Sequence, residues 1–250
     1  MPTKSGWRAG MLEFNDSQTH ERVLPLAPLV FYDDFLGLDG FLIDETGSSG
    51  AWTTVEVALN TAIGIRADTA NGVVQMTMDA DVNAEDAVID MGDQRQFNVK
   101  AGLVFECRIN VAVLPTLTGQ AVFGMCGDHN LDKDAATESA WFKLDGSGAV
   151  LAETDDTTND NDDTATGVTA VAGTYNIYRI DFTDISDVKF YIDGARVSGS
   201  TTFNMSNLSD AEGLMQPYFS LDKGADAGLG TLDLDYVRIW SERTELAINN

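Results

Sequence analysis

Between about Val30 and Arg243 the chain is a succession of strand-length apolar runs, with no convincing amphipathic helix of three or more turns. In residues 72–79, Val74, Met76 and Met78 alternate with Gln75, Thr77 and Asp79. In residues 103–111, Leu103, Phe105, Cys107, Ile109 and Val111 fall on one face by period-two counting. Similar runs occupy residues 120–127, 139–146, 148–154, 174–183, 188–197 and 230–240, and Gly, Asp, Asn or Pro fills the gaps. Asp-Gly pairs at 145–146 and 193–194 stand between apolar runs, where a tight hairpin turn needs positive φ. Residues 207–215 hold one short turn at most, and no repeat of fixed period is present. This pattern predicts an all-β, antiparallel sandwich or barrel.

Residues 1–29 differ. Large apolar residues (Trp7, Met11, Leu12, Phe14) stand singly among polar ones, and Pro25 and Pro28 favour an extended, polyproline-like path. Two readings are open: a disordered tag or leader, or an extended arm that grips a neighbour through Trp7, Arg8, Leu12 and Phe14, with Lys4 and Arg8 reaching an acidic partner. No continuous signal-peptide core follows these basic residues. The most apolar piece, residues 23–31, is broken by both prolines, and nothing approaches the ~20 apolar residues of a membrane helix. The expected organisation is an arm at 1–29, one domain at 30–243 and a tail at 244–250, in a soluble protein without a visible address.

Aliphatic, aromatic and sulfur residues make up 44% of the 250, enough for a sizeable core in one sandwich. Lys and Arg number 15 against 40 Asp and Glu, a net charge of -25. Such a surface repels nucleic acid and anionic membranes and suits solubility, cations or a basic partner. Cys107 and Cys126 lie in apolar runs and read as buried thiols; two cysteines make no disulfide scaffold. Two polar insertions interrupt the strands. Residues 152–167 are acidic, and read either as a solvated, mobile hairpin tip or as a Ca²⁺ site built from Asp155, Asp156, Asp160 and Asp162, with Asp163 nearby. The EF-hand pattern is absent from them. Residues 127–139 carry His129, which reads as an exposed loop histidine.

Four segments occur in a familiar order: FYDDF at 31–35, VFECRINV at 104–111, VKFYIDGARV at 188–197 and LDYVRIW at 234–240. Together they resemble the concanavalin A-like jelly-roll superfamily of laminin G-like, legume-lectin-like and glucanase-like domains. The resemblance implies a jelly roll in which the opening segment pairs with the closing strand. It also provides a test for catalysis. The glucanase branch carries a Glu-x-Asp-x-Glu strand whose alternate carboxylates bracket the glycosidic bond, and this chain has none. The nearest match, Asp233 and Asp235, lacks a glutamate and reads as an outward polar edge alternating with Leu232 and Leu234. Glu106 has only Arg108 as a neighbour at that spacing. GxSxG, GxxxxGK and HExxH motifs are also missing, and two histidines leave little room for acid–base work. The expectation is no enzyme and no catalytic residue.

Two non-enzymatic readings remain. In plan, a jelly roll with an anchoring arm resembles the decoration (cement) proteins of tailed-phage heads. That implies a homo-oligomer on the virion surface, binding and stabilising neighbouring major capsid subunits. The alternative is a carbohydrate-binding, lectin-like module, for which Trp52, Trp141 and Tyr218 are either sugar platforms or core residues.

Overall fold

The computed structural model describes residues 3–8, 11–16, 22–24, 29–36, 51–57 and 61–241, and before Leu29 only their backbone. Nineteen strands run through these residues. They are β1 (Thr3–Arg8), β2 (Met11–Asp16), β3 (Arg22–Leu24), β4 (Leu29–Asp33), β5 (Thr53–Val57), β6 (Ala62–Ile65), β7 (Val74–Met78), β8 (Glu85–Asp90), β9 (Phe97–Asn98) and β10 (Leu103–Val113). There follow β11 (Gln120–Cys126), β12 (Glu138–Leu144), β13 (Ala149–Asp156), β14 (Asp160–Thr169), β15 (Tyr175–Asp181), β16 (Lys189–Ile192), β17 (Ala195–Val197), β18 (Leu214–Lys223) and β19 (Gly230–Ser241). The only helical pieces among the described residues are two single 3₁₀ turns, at Val99–Ala101 and Lys133–Ala135.

Two antiparallel sheets form a sandwich. The first runs β17-β16-β15-β10-β19-β7-β6 with β4 beside β19; the second runs β14-β13-β12-β11-β18-β8-β5 with β9 beside β18. Period-two alternation puts one side chain set of each strand between the sheets. Phe105, Phe123, Phe142, Tyr178, Phe190 and Phe219 meet there, all essentially sealed from solvent. The Phe142 ring lies 5.1 Å from both Tyr178 and Phe190 in edge-to-face geometry, each such pair adding ~1 kcal/mol beyond area burial. Cys107 and Cys126 are both buried and free, as their strand contexts predict.

The opening segment pairs with the closing strand as the resemblance implies: Phe31 with Ile239, Tyr32 with Arg238, Asp33 with Val237. Asp33 fixes this junction, accepting hydrogen bonds from Trp52 Nε1 and from the Phe35 amide, both at 2.8 Å. The 193–194 turn also matches expectation, with Asp193 and Gly194 at φ 49° and 79°. At 145–146 the outcome differs. The hairpin loop there spans four residues, its positive φ falls on Gly148, and Asp145 accepts from the Ser147 amide at 2.8 Å.

Two further expectations need correction. The described residues of the first segment are not a single extended arm: β1, β2 and β3 pair into a three-stranded antiparallel sheet, with Thr3 opposite Asp16, Arg8 opposite Met11 and Phe14 opposite Leu24. Pairing satisfies backbone groups that a lone extended strand leaves to water. The side chains of Trp7, Arg8, Leu12 and Phe14, and the tail 244–250, lie outside the described residues. The acidic tract is a hairpin with an exposed turn, but its arms are paired strands rather than loop. It forms most of β13 and β14, paired from Ala149–Thr169 to Asp155–Asp160. Its threonines favour a pleated strand, and the carboxylate of Asp156 builds the connecting turn.

Candidate functional site

The same alternation that sends Phe123, Phe142 and Phe219 inward presents Val122, Trp141 and Tyr218 on the outer face of the second sheet. With Val88, Cys126 and Ala136 they form a second, smaller apolar cluster. The polar insertion after β11 lies over it. Tyr218 donates its hydroxyl proton to the Asn130 carbonyl at 3.4 Å. Lys133 enters from the insertion with its side chain 2% exposed and its Nζ 3.2 Å from Asp86. That ammonium also donates to the Asn130 and Leu131 carbonyls, at 3.3 and 3.2 Å. His129 is half-buried rather than exposed: its ring lies 5.9 Å from that of Tyr218, and its Nδ1 is 3.9 Å from Asp90. The His129 amide donates to Asp93 at 2.7 Å, and this contact holds the insertion down over the Tyr218 face.

Beside this cluster β12, β13 and β14 line a narrow polar crevice with Lys133, Asp134, Ser139, Trp141, Glu153, Asp155, Asp160 and Asp162. Trp141 Nε1 donates to Glu153 at 2.7 Å, and Lys143 bridges Glu153 and Asp163 at 3.1 and 3.0 Å. The four aspartates considered as calcium ligands are divided. Asp155, Asp160 and Asp162 share the crevice. Asp156 points away and accepts from the amides of Thr158, Asn159 and Asn207. Burial works against the charge on Asp156, yet these donors hold its carboxyl below the usual carboxylate range. Burial, then the neighbouring aspartates, push Asp155 up to about 6, and burial with Asp160 raises Asp162. Among the described residues no group of three or more His, Cys, Asp or Glu side chains is placed to hold a metal ion.

Asp233 and Asp235 are not a solvated edge. Asp233 is fully buried and accepts from Arg66 at 2.7 Å, Gln75 at 2.7 Å and Asn110 at 3.0 Å. Asp235 sits at a bulge, where the register passes from Arg108–Tyr236 to Ile109–Leu234, and it pairs with Arg108. Donors from β7, β10 and the residue after β6 create this environment, and they lie far away in sequence. Trp52, Trp141 and Tyr218 are core residues, 4%, 2% and 1% exposed, and provide no open platform. Two buried lysines carry no sequence signal. Lys133 is one; Lys223 is the other, its ammonium donating to the carbonyls of Asp79, Asp81 and Gly228 at 2.6, 2.6 and 2.9 Å, with Glu85 at 3.2 Å.

No family model and no curated protein matches the chain. Solved structures do. A protein of unknown function, SO2946 from Shewanella oneidensis MR-1, is similar at 13% identity and TM-score 0.56, over 87% of this chain and 90% of that one. The carbohydrate recognition domain of Emp47p is similar at 11% identity and TM-score 0.51, over 81% and 93%. A structure described under endo-acting O-glycanases of the human gut microbiota is similar at 12% identity and TM-score 0.55, over 85% and 99%. The fold is a concanavalin A-like jelly roll. Within this jelly roll the outer apolar cluster of the second sheet is covered by the chain's own insertion, and the narrow acidic crevice of β12–β14 lies beside it.

Proposed function

We propose that this chain is a non-catalytic recognition module, a lectin-like jelly roll whose ligand is a carbohydrate. The observation that carries the reading is that four carboxylates of the outer faces are committed to fixed partners, leaving Asp155, Asp160 and Asp162 of the crevice to face a ligand. Glu106 is held by Arg179 and Arg238, Glu153 by Trp141 and Lys143, Asp86 by Lys133, and Asp233 by Arg66, Gln75 and Asn110. A hydrolase needs one carboxyl free to donate a proton and another free to attack or to activate water. Committed carboxylates serve shape and binding instead. The likeness to the carbohydrate recognition domains of Emp46p and Emp47p supports the ligand class. A glycan array with the purified protein tests it: binding without release of reducing sugar, weakened by Asp160→Ala and Asp162→Ala in the crevice, is the expected outcome. Steady glycan turnover, or no binding to any glycan, would overturn it.

A second reading, decoration of a virus capsid, is favoured by the N-terminal sheet. Among the described residues β1, β2 and β3 pair only with one another. They would form an attachment element for the major capsid protein, on a homo-oligomer at the virion surface. Stoichiometric co-sedimentation with virus particles, lost when residues 1–28 are removed, is the expected result. Absence of the full chain from purified particles would exclude it.

A further inference from the structure

The outer face of the first sheet carries one unbroken cross-strand row of six residues. Arg196 of β17 lies opposite Tyr191 of β16, which lies opposite Arg179 of β15. Arg179 lies opposite Glu106 of β10, Glu106 opposite Arg238 of β19, and Arg238 opposite Tyr32 of β4. The row therefore reads Arg-Tyr-Arg-Glu-Arg-Tyr, at right angles to the strands. Five inter-strand steps of ~4.8 Å make it ~24 Å long.

Its centre is rigid. Glu106, 1% exposed, accepts from Arg179 Nη2 and Arg238 Nη2, both at 2.6 Å, and from the Tyr236 hydroxyl at 3.1 Å. Trp240 supports both guanidiniums, 5.6 Å from Arg179 and 4.7 Å from Arg238. The outer surface of the row stays open: the side chains of Arg196, Arg179 and Arg238 are 38%, 39% and 44% exposed, and Tyr32 is 54% exposed.

This face is also an electrostatic exception. Arg66, Arg108, Arg179, Arg196, Arg238 and Lys189 gather on it with Glu106, Asp181, Asp187, Asp233 and Asp235, and Asp34 lies by Tyr32, six cations against six carboxylates. The chain as a whole carries -25. The repulsion expected between two chains of this net charge is weakest where cations and carboxylates balance. The residue types are those that anchor protein interfaces, Tyr, Trp and Arg.

We propose that this face is the contact surface of a twofold-symmetric dimer of the chain. The row is complementary to its own reverse. A twofold axis along the strands, between two such faces, turns the row end for end. Arg196 then meets Tyr32 of the second copy and Tyr191 meets Arg238, while at the centre Arg179 comes over the position of Glu106, whose carboxylate stays beneath its own Arg179 and Arg238. The two outer meetings are each a cation over an aromatic ring, and each occurs twice. Superposing the row without reversal sets like against like. With β10 and β19 of 11 and 12 residues, ~35 Å long, the face offers on the order of 800 Å², one partner's share of a stable interface.

A charge exchange at the two ends of the row tests the register, because both positions are exposed and neither touches the buried Glu106. Sedimentation equilibrium of the full chain should show a dimer. Tyr32→Arg opposes two arginines across the axis and Arg196→Glu removes the cation from the ring; each should weaken dimerisation about tenfold or more. The combined variant sets a carboxylate against a guanidinium at both ends and should recover wild-type affinity to within about threefold. Far-UV circular dichroism and melting temperature confirm that each variant is folded. A chain that stays monomeric at every concentration overturns the proposal. So does a dimer indifferent to the single changes, a combined variant no better than Tyr32→Arg, or a monomer that loses only glycan binding through these changes.

Discussion

The ammonium of Lys133 lies 3.2 Å from the carboxylate of Asp86, 47 positions away in the chain, and neither side chain is more than 8% exposed. The neighbouring residue on β8, Glu85, receives Lys223 at the same separation, so two consecutive acids on one strand each hold a buried lysine. Both lysines also gather backbone carbonyls, Lys133 from the insertion over the second sheet and Lys223 from the β7–β8 and β18–β19 connections.

Removing one member of such a pair leaves an uncompensated charge inside. Lys133→Met should therefore cost about 3 kcal/mol in urea denaturation. The same change combined with Asp86→Leu should recover part of the loss. Amide exchange at residues 129–135 should accelerate in the single variant, because their carbonyls lose the donor that gathers them.

Asp233→Ala should be nearly as damaging, at about 3 kcal/mol, since three donors around it lose their acceptor. Chemical denaturation should show a lower midpoint with an unchanged slope. Asp235→Ala, at the bulge and facing a partly exposed arginine, should cost less than half as much.

Mild acid should stabilise this protein. Burial pushes Asp222 and Asp155 each up to about 6, from an ordinary value of 3.8. The folded state thus holds these protons more tightly than the unfolded chain does. Their stabilising contribution is fully present below about 3.8 and disappears as pH rises through about 6. Asp156 and Asp163, held below the ordinary range, give up their contribution only when pH falls beneath it. The melting temperature should accordingly rise between pH 7.5 and pH 5. Asp155→Asn should raise it at pH 7.5 and flatten the rise.

Deleting residues 1–28 should leave the melting temperature of the sandwich within a few degrees. The strands of that segment pair with one another and with none of β4–β19 among the described residues. Differential scanning calorimetry of the truncated chain checks this directly.

The sandwich was legible because it rests on alternation. Val74, Met76 and Met78 are buried as their spacing predicts, and Phe31–Ile239 pair as the resemblance implies. The polar contacts were not legible, because burial of a charge depends on partners that only the sheet order brings near. Asp233 meets Arg66 across 167 residues and Gln75 across 158. A lysine in an aspartate-rich insertion looks solvated until the Tyr218 face is seen beneath it. In the acidic tract the threonine pattern of a strand was outweighed by the density of aspartate, although the crevice was drawn from the same residues: Asp155, Asp160 and Asp162 converge there and Asp156 turns aside.

The two buried lysines have a practical consequence. A molecule this acidic ordinarily recruits counterions from its medium, and releases them on dilution or chelation. Lys133 and Lys223 are counterions on a covalent leash. The connections they fasten should keep their shape through exhaustive dialysis and chelator treatment, while the rest of the acidic surface still answers to the salt around it.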